Sequence, residues 1–383
     1  MTSSAPRVFI SCGEASGDLY AAALVRALRE RAPGVEVTGF GGPRLAAEGA
    51  RLTGTYDGLT VTGLTEAVFV LRRSFQMLKR LEEAARTERP DVFVAIDFPD
   101  FNFRLLPRMR ALGIPIVYYI SPQLWAWRPK RIHTIKRFVD KMLVIFPFEE
   151  DIYRRASVPV EFVGHPLIEL AHADQSRDAI LREIGLDPSK PVVALLPGSR
   201  PNEIRHVLPT IRASLPKIAA AVPGVQFLVA RAPGLDNSLF DGVEAGAAPG
   251  YAVKTITGAA DDVLNAADVV ITASGTATVQ TALHEKPMVI VYRLSPLTYA
   301  IGKRLVGVTT FGMVNLVAGK KIAAELIQDD FTPESVAAET IALLTSPERA
   351  AAMRRDLVDV KARLGGTGAT GRAADAILAA ARR

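Results

Sequence analysis

The chain has 383 residues, which is long for one ordinary hydrophobic core, so its length favours two domains. Hydrophobic residues make up 49% and charged residues 22%, a composition typical of a folded protein rather than a disordered one. The formal charge of +6 is compatible with phosphates, nucleic acid or an anionic membrane as partners, and equally with an arbitrary surface balance.

Cys12 is the only cysteine, which excludes an intramolecular disulfide and a cysteine-based metal cluster. The start of the chain has no signal-peptide pattern, and no apolar run reaches the roughly 18 residues of a membrane-spanning helix. These features predict a cytoplasmic protein, which could still lie on a membrane.

Short β-rich runs alternate with helical segments in both halves of the chain. A first helix follows the first strand, with Ser16 expected as its N-cap and Pro33-Gly34 at its end. Strands are predicted at 7–11, 91–98, 114–120, 141–146, 160–164, 192–197, 225–232, 268–274 and 287–293. Continuous apolar strands joined by helices are typical of parallel sheets covered on both faces. We therefore predict an α/β fold with two doubly wound domains that face a cleft.

The domain boundary is expected near 170–190, where the polar stretch 172–191 lies. The predicted units are an N-terminal domain at 1–170, a C-terminal domain at 171–365, and a last helix at 366–383. That helix is expected to pack on the N-terminal domain or on a partner subunit. Because ligands of doubly wound sheets bind beyond the carboxyl ends of the strands, the loops after the strands should carry the chemistry.

Two such loops in the second half suit a phosphate or diphosphate. Gly198 permits close backbone approach, Ser199 supplies a hydroxyl, and Arg200 is a fork-shaped cation just before a helix N-terminus, which favours anions. An ordinary turn with a solvated arginine is the alternative. The second loop offers small hydroxylated residues over another helix N-terminus. Its candidates are Ser274, Gly275 and Thr276.

The first loop, "SCGEASGDL", differs from these two because it is acidic. Glu14 and Asp18 would repel a phosphate at short range, so sugar hydroxyls are the better ligand. Gly13, Glu14 and Ser16 are the substrate-binding candidates, and helix capping is the alternative for Asp18. An anion-binding second half and a hydroxyl-binding first half together predict a transferase with a nucleotide diphosphate leaving group.

Two segments of the first half combine aromatic and basic residues, as helices in a membrane interface do. They are "AVFVLRRSFQMLKRL" and "QLWAWRPKRIHTIKRFVDK". The alternative is that the aromatic side chains are core and the charges are solvated. No nucleic-acid-binding motif is recognised, and the apolar content fits lipid better. The predicted lipid contacts are Phe69, Phe75, Trp125, Trp127, Arg128 and Arg131.

The motifs as a set resemble those of the bacterial lipid-A-disaccharide synthase family, glycosyltransferase family 19, from about residue 7 to beyond 330. The motifs are "GEASGD", "GFGGPRLAAEG", "AIDFPDFNFRL", "SPQLWAWRPKRI", "FVGHPL", "LLPGSRPNEI", "ASGTATVQTAL" and "MVNLVAG". The resemblance implies a GT-B fold with two Rossmann-like domains. It implies an inverting hexosyltransferase that joins UDP-2,3-diacylglucosamine to 2,3-diacylglucosamine 1-phosphate (lipid X) and releases UDP. It also implies a peripheral protein on the cytoplasmic face of the inner membrane of Gram-negative bacteria. Members of the family can dimerise through exchanged C-terminal segments.

The same resemblance assigns roles to individual residues. Asp100 matches the second acid of the "IDFPDFN" motif and is interpreted as the base for the acceptor's 6-hydroxyl, in a partly apolar setting. Arg200 matches the arginine of "LLPGSR" and would stabilise the departing diphosphate. Asp97 is interpreted as a structural cap or turn residue. No DxD motif and no histidine-rich cluster is present, so an obligate metal is not implied, and no cofactor is expected.

The remaining carried-over residues concern the nucleotide. Ser274, Gly275 and Thr276 match the uridine-nucleotide loop, and Asn315 matches the asparagine of the "NLVAG" motif. Gln280 departs from the family, which usually has glutamate there to hold ribose hydroxyls. Glutamine keeps one carbonyl acceptor but loses the charge, so we expect weaker UDP binding.

Two other functions stay open at this point. One is another UDP-GlcNAc-using GT-B enzyme, of the peptidoglycan N-acetylglucosaminyltransferase or UDP-GlcNAc 2-epimerase type. The "SPQLWAWRPKRI" motif argues against both. The other is a non-catalytic membrane protein that binds lipid or nucleotide sugar.

Overall fold

The structure is a computed structural model that describes residues 5–57, 67–125, 128–244, 250–293 and 312–382, with the side chains of 67–70 not described. The chain divides into two compact units. The first comprises Met1–Pro166 together with Leu364–Arg383, and the second comprises Leu167–Arg363.

The first unit is a parallel sheet covered by helices. Its described strands follow the order β3-β2-β1-β4-β5-β6-β7. They are β1 Arg7–Cys12, β2 Glu36–Gly41, β3 Arg51–Thr55, β4 Val92–Ile96, β5 Ile116–Tyr119, β6 Lys141–Val144 and β7 Val160–Phe162. The helices between them are α1 Glu14–Arg31, α2 Pro43–Ala47, α3 Ala67–Glu88, α4 Pro99–Ala111, α5 Ile132–Phe138 and α6 Pro147–Arg155. All residues of β4 and β5 are buried, because helices cover both faces of the sheet.

The second unit repeats the pattern, with described strands in the order β10-β9-β8-β11-β12-β13, again all parallel. They are β8 Val192–Leu196, β9 Gln226–Arg231, β10 Ala252–Thr257, β11 Val269–Ala273, β12 Met288–Tyr292 and β13 Ala324–Ile327. Its helices are α7 Leu167–Leu170, α8 Arg177–Glu183, α9 Pro201–Ala221, α10 Ala260–Ala266, α11 Thr276–Leu283, α12 Met313–Ala318, α13 Pro333–Thr345 and α14 Pro347–Arg363. The predicted fold class, two doubly wound parallel-sheet domains, is confirmed.

Each sheet reverses its strand order at one place. In the first unit β1 lies between β2 and β4, and in the second unit β8 lies between β9 and β11. Such a switch point opens a crevice beyond the carboxyl ends of the two central strands, which is where doubly wound folds bind ligands. The loops after β1, β4, β8 and β11 are therefore the places to look for function.

The last helix, α15 at Ala369–Ala381, belongs to the first unit and packs on α1. The Arg31 Nε atom lies 2.6 Å from the Asp375 carboxylate, and Arg372 donates from Nε to the Val163 carbonyl at 2.9 Å. Ile377 of this helix is fully buried. The chain thus closes the core of its first unit with its last residues.

The start of α1 differs from the expected one. Gly13 is the N-cap and the helix begins at Glu14, so Ser16 lies inside the first turn. Among the described residues no side chain caps this helix end. The Phe98 ring lies against Gly13, where an added Cβ atom would be 2.3 Å from the ring, so a residue with a side chain does not fit there without a shift of the ring.

Candidate functional site

The first switch point is built from strained backbone. Asp97 and Phe98, which follow β4, have φ angles of 43° and 49°, in the left-handed region that few non-glycine residues adopt. Glu14 after β1 and Ile120 after β5 are also left-handed. Strain of about 1–3 kcal/mol per residue persists only where surrounding structure holds it, and it clusters at functional sites. The strain here marks the carboxyl edge of the first sheet.

Side chains from two strands, β1 and β5, and from helix α4 hold the strained turn. The Asp97 carbonyl accepts hydrogen bonds from Asn102 Nδ2 at 2.7 Å and from the Tyr118 hydroxyl at 2.8 Å. Ser11 in turn donates from Oγ to Asn102 Oδ1 at 2.7 Å. Asn102 is fully buried and ties the ends of β1 and β4 together. Sequence reasoning missed Asn102, although a polar residue two positions after Asp100 in an apolar helix face was a usable signal.

The acidic loop after β1 is partly structural. The Asp18 carboxylate accepts from the backbone N–H groups of Gly42, Arg44 and Leu45 at 2.8, 2.9 and 3.1 Å, and its side chain is buried. It therefore caps the N-terminus of α2, so capping describes Asp18 and sugar binding does not. Gly13 is buried and makes room for the Phe98 ring. Glu14 and Ser16 are half-buried at the same edge and stay candidates for substrate hydroxyls.

Asp100 lies in the first turn of α4 and its side chain is 77% exposed. It forms an ion pair with Arg131, and Arg128 Nη1 approaches to 3.4 Å. Arg131 also stacks over the Phe103 ring, 4.9 Å from its centroid. The carboxylate therefore lies in solvent among cations, where the sequence predicted a partly apolar setting. The apolar neighbours point into the core instead, and Phe98 and Phe101 stack on each other at 5.4 Å.

A second carboxylate in the first unit, that of Glu149, is buried and was not predicted from the sequence. Glu149 accepts from the Phe146 amide at 3.3 Å in the first turn of α6. Burial raises the pKa of the Glu149 carboxyl to about 8, while the hydrogen bond from the Phe146 amide acts in the opposite direction. In sequence it is one of three consecutive acids in "FPFEED", and nothing in that pattern distinguishes it from Glu150 and Asp151.

Aromatic rings surround Glu149. Trp125 packs edge-on against Phe148 at 5.4 Å, and the Phe146 and His165 rings are 5.2 Å apart. Burial lowers the pKa of His165 to about 3, so its imidazole is neutral. Trp125 is half-buried, and its buried indole N–H makes no hydrogen bond within the described residues. Its role as a lipid contact stays a prediction. Trp127 lies outside the described residues.

The other predicted lipid segment keeps exposed apolar groups. On α3, Leu71 is 46% and Phe75 50% exposed, and the Arg104 guanidinium lies over the Phe75 ring at 5.3 Å. The Phe69 side chain lies outside the described part of the chain. Among the helices that the structure describes, none combines the length and the apolar character needed to cross a bilayer.

The second switch point carries the glycine–serine–arginine loop. Gly198 has φ 129°, a conformation that favours glycine, and α9 begins at Pro201. Glu203 in the first turn folds back, and its Oε2 accepts from the backbone amides of Ser199 and Arg200 at 3.0 and 3.3 Å. Its Oε1 lies 3.3 Å from Arg200 Nη1. A carboxylate of the chain itself thus holds the donors that were predicted to bind phosphate.

The neighbouring loop after β11 also requires glycine. Gly275 has φ 146° and caps α11, with Thr276 exposed at the first position of the helix. The Ser274 amide donates to the Val291 carbonyl at 3.0 Å, which keeps the loop in line with β12. Tyr292, at the end of β12, was missed by sequence reasoning. Burial raises the pKa of Tyr292, the Glu203 charge adds to the rise, and the Arg200 charge opposes it. The Tyr292 phenol therefore senses the charges of the loop at residues 198–203.

Asn315 and Gln280, the two amide residues assigned by the family resemblance, differ in how much hydrogen-bonding capacity they have left for a ligand. Asn315 is buried, donates to the Ala323 carbonyl at 2.9 Å and to Glu325 Oε1 at 2.7 Å, and accepts from the amides of Ile322 and Ala323 at 2.8 and 3.0 Å. These bonds use its full capacity, so a ligand would have to replace one of them. Gln280 is half-buried and donates to Asp261 Oδ1 at 2.8 Å, which leaves its carbonyl oxygen as an acceptor.

Comparison with known proteins decides the family. A family model described as lipid-A-disaccharide synthetase matches residues 8–377. The chain belongs to this family. Within the lipid-A-disaccharide synthetase family, the synthase of Myxococcus xanthus (strain DK1622) is 41% identical over 377 residues, 97% of either chain. The synthase of Syntrophus aciditrophicus (strain SB) is 44% identical over 368 residues, 96% of either chain. The resemblance predicted from the motifs is confirmed.

Solved structures agree with the GT-B fold of the family. A UDP-GlcNAc 2-epimerase from Neisseria meningitidis, solved with UDP-GlcNAc, has a TM-score of 0.67 at 12% identity and covers 97% of this chain and 100% of its own. The MurG protein of Acinetobacter baumannii has a TM-score of 0.59 at 15% identity, with 97% and 99% coverage. At such low identity the likeness concerns the fold alone. Among the described residues of the chain, no group of histidine, cysteine and acidic side chains is arranged to hold a metal ion.

Proposed function

We propose that the protein is the hexosyltransferase that joins UDP-2,3-diacylglucosamine to lipid X and releases UDP, forming the lipid A disaccharide 1-phosphate. Membership of the lipid-A-disaccharide synthetase family over residues 8–377 carries this proposal. Four of the family motifs, "GEASGD", "AIDFPDFNFRL", "LLPGSRPNEI" and "ASGTATVQTAL", lie at the ends of the central strands β1, β4, β8 and β11, which adds support. The UDP-GlcNAc 2-epimerase and the MurG protein share only the fold, at 12% and 15% identity.

The first unit supplies the base in this proposal. The acceptor's 6-hydroxyl attacks the anomeric carbon, its proton passes to the Asp100 carboxylate, and the bond from that carbon to the diphosphate oxygen breaks with inversion. Exposure leaves the carboxylate accessible to an incoming hydroxyl. Arg128 and Arg131 fix one of its oxygens, Oδ1, which leaves Oδ2 to accept the proton. Glu14 and Ser16 at the same edge are suited to bind sugar hydroxyls.

The second unit binds the leaving group in this proposal. Arg200 neutralises the charge that develops on the diphosphate, and the N-termini of α9 and α11 add oriented amides. Since Glu203 accepts from the Ser199 and Arg200 amides, a diphosphate that takes these donors must displace the Glu203 carboxylate. Ser274, Gly275 and Thr276 contact the nucleotide, and Asn315 supports the site through the bonds it makes with Glu325 and residues 322–323.

The decisive assay is UDP release with purified protein. We expect UDP only when the acylated donor and the acylated acceptor are both present. UDP release from donor alone, or with non-acylated sugars equally well, would contradict the proposed substrates. No release with either pair, while UDP still binds, would support a non-catalytic binding protein instead.

Replacement of the base tests the first unit. The Asp100→Asn variant keeps the size and removes the proton acceptor, so we expect turnover to fall by about 10²–10⁴-fold with UDP affinity nearly unchanged. Calorimetry with UDP and the UDP-release assay separate the two effects. Near-normal turnover would remove Asp100 from the base role.

Replacement of the proposed phosphate ligand tests the second unit. The Arg200→Ala variant loses a charged hydrogen bond of about 1.5–3 kcal/mol, which corresponds to roughly ten- to hundredfold weaker UDP binding. Turnover should fall as well, because the same cation stabilises the leaving group. Lys217→Ala, which removes a surface cation that pairs with Glu334, is the matched control. Unchanged UDP affinity in Arg200→Ala would argue against the phosphate role.

We also propose that the exposed apolar face of α3 binds the cytoplasmic surface of the inner membrane, as a peripheral contact. Leu71 and Phe75 offer apolar area, and the arginines at 72, 73 and 80 lie on the same helix to attract anionic lipid. The double substitution Leu71→Ser with Phe75→Ser should lower cosedimentation with anionic vesicles. Val358→Ser, on an equally exposed apolar side chain of α14 in the second unit, should not. Equal binding of all three proteins would remove α3 from the membrane contact. The homodimer stays a prediction. Sedimentation equilibrium tests it by measuring the molar mass of the protein in solution.

A further inference from the structure

Gln280 belongs to a three-residue polar cluster formed by α10 and the end of α11. Gln280 donates from Nε2 to Asp261 Oδ1 at 2.8 Å. His284 Nε2 lies 2.8 Å from the same carboxylate oxygen. The cluster is only partly exposed, with side-chain exposures of 11% for His284 and 24% for Asp261. A carboxylate with two donors on one oxygen is firmly held.

The chemistry of this cluster settles which way the glutamine amide points. An amide presents an NH₂ donor and a carbonyl acceptor in nearly equal shapes, so its neighbours decide the orientation. An ionised carboxylate only accepts, so it faces the NH₂ group of Gln280 and excludes the carbonyl. The same reasoning places a proton on His284 Nε2, which faces the same carboxylate oxygen. The Gln280 carbonyl is thereby turned away from Asp261 as a fixed acceptor.

The position of Gln280 relates the cluster to the nucleotide loop. Gln280 lies one turn after Thr276 and on the same side of α11, since residues four apart share a helix face. Helical side chains lean toward the N-terminus of their helix. For α11 that end is Gly275, where the proposed function places the UDP.

We infer that Asp261 is a positioning residue that presents the Gln280 carbonyl to a ribose hydroxyl of UDP, and that it makes position 280 suit glutamine and not glutamate. This inference rests on the proposed nucleotide site. A glutamate at 280 would put two carboxylates within about 3 Å of each other, so one would have to be protonated or to move away. A neutral glutamine at position 280 therefore suits a site in which Asp261 already supplies the negative charge. The Gln280 carbonyl still provides an acceptor for the ribose hydroxyl.

The test is a double-substitution cycle on the full chain, with UDP affinity measured by calorimetry. Gln280→Glu alone should weaken UDP binding by about tenfold, because the introduced acid is repelled by Asp261. Asp261→Asn alone should weaken UDP binding by about threefold, because an asparagine at 261 can pair with either the NH₂ group or the carbonyl of Gln280 and no longer fixes the orientation of that amide. Combining the two should restore affinity to at least that of the parent, because the introduced amide donates to the introduced acid. A purely structural role for Asp261 predicts additive losses in the double variant.

Two controls complete the experiment. Asp178→Asn removes a surface ion pair with Arg182 in the same unit and should leave UDP affinity unchanged. Unfolding midpoints of the four proteins establish that each is folded. Gln280→Glu binding UDP as tightly as the parent, or a double variant no better than Gln280→Glu, would overturn the inference. Absence of UDP binding by the unsubstituted chain would instead overturn the proposed function.

Discussion

Glu149 makes the stability of the first unit depend on pH in an unusual direction. Its pKa is raised from 4.5 to about 8 by burial, so the native state holds a proton that the unfolded chain releases. The contribution of Glu149 to stability is therefore fully present below the unfolded pKa and is lost as pH rises toward the folded value. His165 acts at lower pH, because its depressed pKa of about 3 removes stability as pH falls below 6.5. Between pH 6.5 and 8, Glu149 is the member of this pair that contributes.

The size of the effect follows from the slope of linkage. One proton difference changes the free energy of unfolding by about 1.4 kcal/mol per pH unit, so 1.5 units amount to roughly 2 kcal/mol, slightly less near the folded pKa. The Glu149→Gln variant keeps an acceptor for the Phe146 amide and carries no proton to release. Its free energy of unfolding should gain about 2 kcal/mol relative to the parent from pH 6.5 to pH 8.

Denaturant unfolding followed by tryptophan fluorescence measures this. Both tryptophans of the chain, Trp125 and Trp127, belong to the first unit, so the signal reports that unit. Glu150→Gln is the matched control, because Glu150 forms a surface pair with Arg154 and its loss leaves the pH dependence of the parent. A difference between parent and Glu149→Gln that stays constant from pH 6.5 to pH 8 would refute a buried neutral carboxyl.

Two further substitutions test the structure around the first switch point. Asp18→Asn should lower the free energy of unfolding by about 2–3 kcal/mol, because the N–H donors at the start of α2 would lose the carboxylate that accepts from them. Denaturant unfolding measures this change. Asp57→Asn, at an exposed position, is the control and should change the free energy of unfolding little. Gly13→Ala should cost about 1–3 kcal/mol and lower UDP release, because the added Cβ meets the Phe98 ring. In the same helix Gly17→Ala has ordinary space beside Cys12, so it should be neutral or stabilising by up to about 1 kcal/mol. Equal effects of the two alanine substitutions would contradict the contact with Phe98.

Local pattern was enough to predict much of the fold. The apolar runs at 92–96, 192–196 and 269–273 are strands, because continuous apolar residues bounded by turn residues suit a doubly covered sheet. Strands β2, β3, β10 and β13 were not predicted; β3 and β13 are half-buried along most of their length. Gly198 and Gly275 were singled out from their place between strand and helix, and both adopt φ angles that favour glycine.

Partners distant in sequence could not be predicted in the same way. Asp18 meets the amides of residues 42–45, and Asp100 meets arginines about thirty positions later. A carboxylate looks alike in sequence whether it caps a helix, pairs with a cation or is buried neutral. What it meets is decided by the packing of elements that the chain brings together only on folding.

The sequence by itself determined the alternation of strands and helices, the family, and the loops that carry the motifs, because periodicity and turn chemistry are local. Tertiary structure alone decided that Asp18 is a cap, that Asp100 is exposed among arginines and that Glu149 is buried. It also decided that Gln280 faces an acid. Desolvation and charge pairing depend on neighbours in space, and these set the chemistry of each carboxylate.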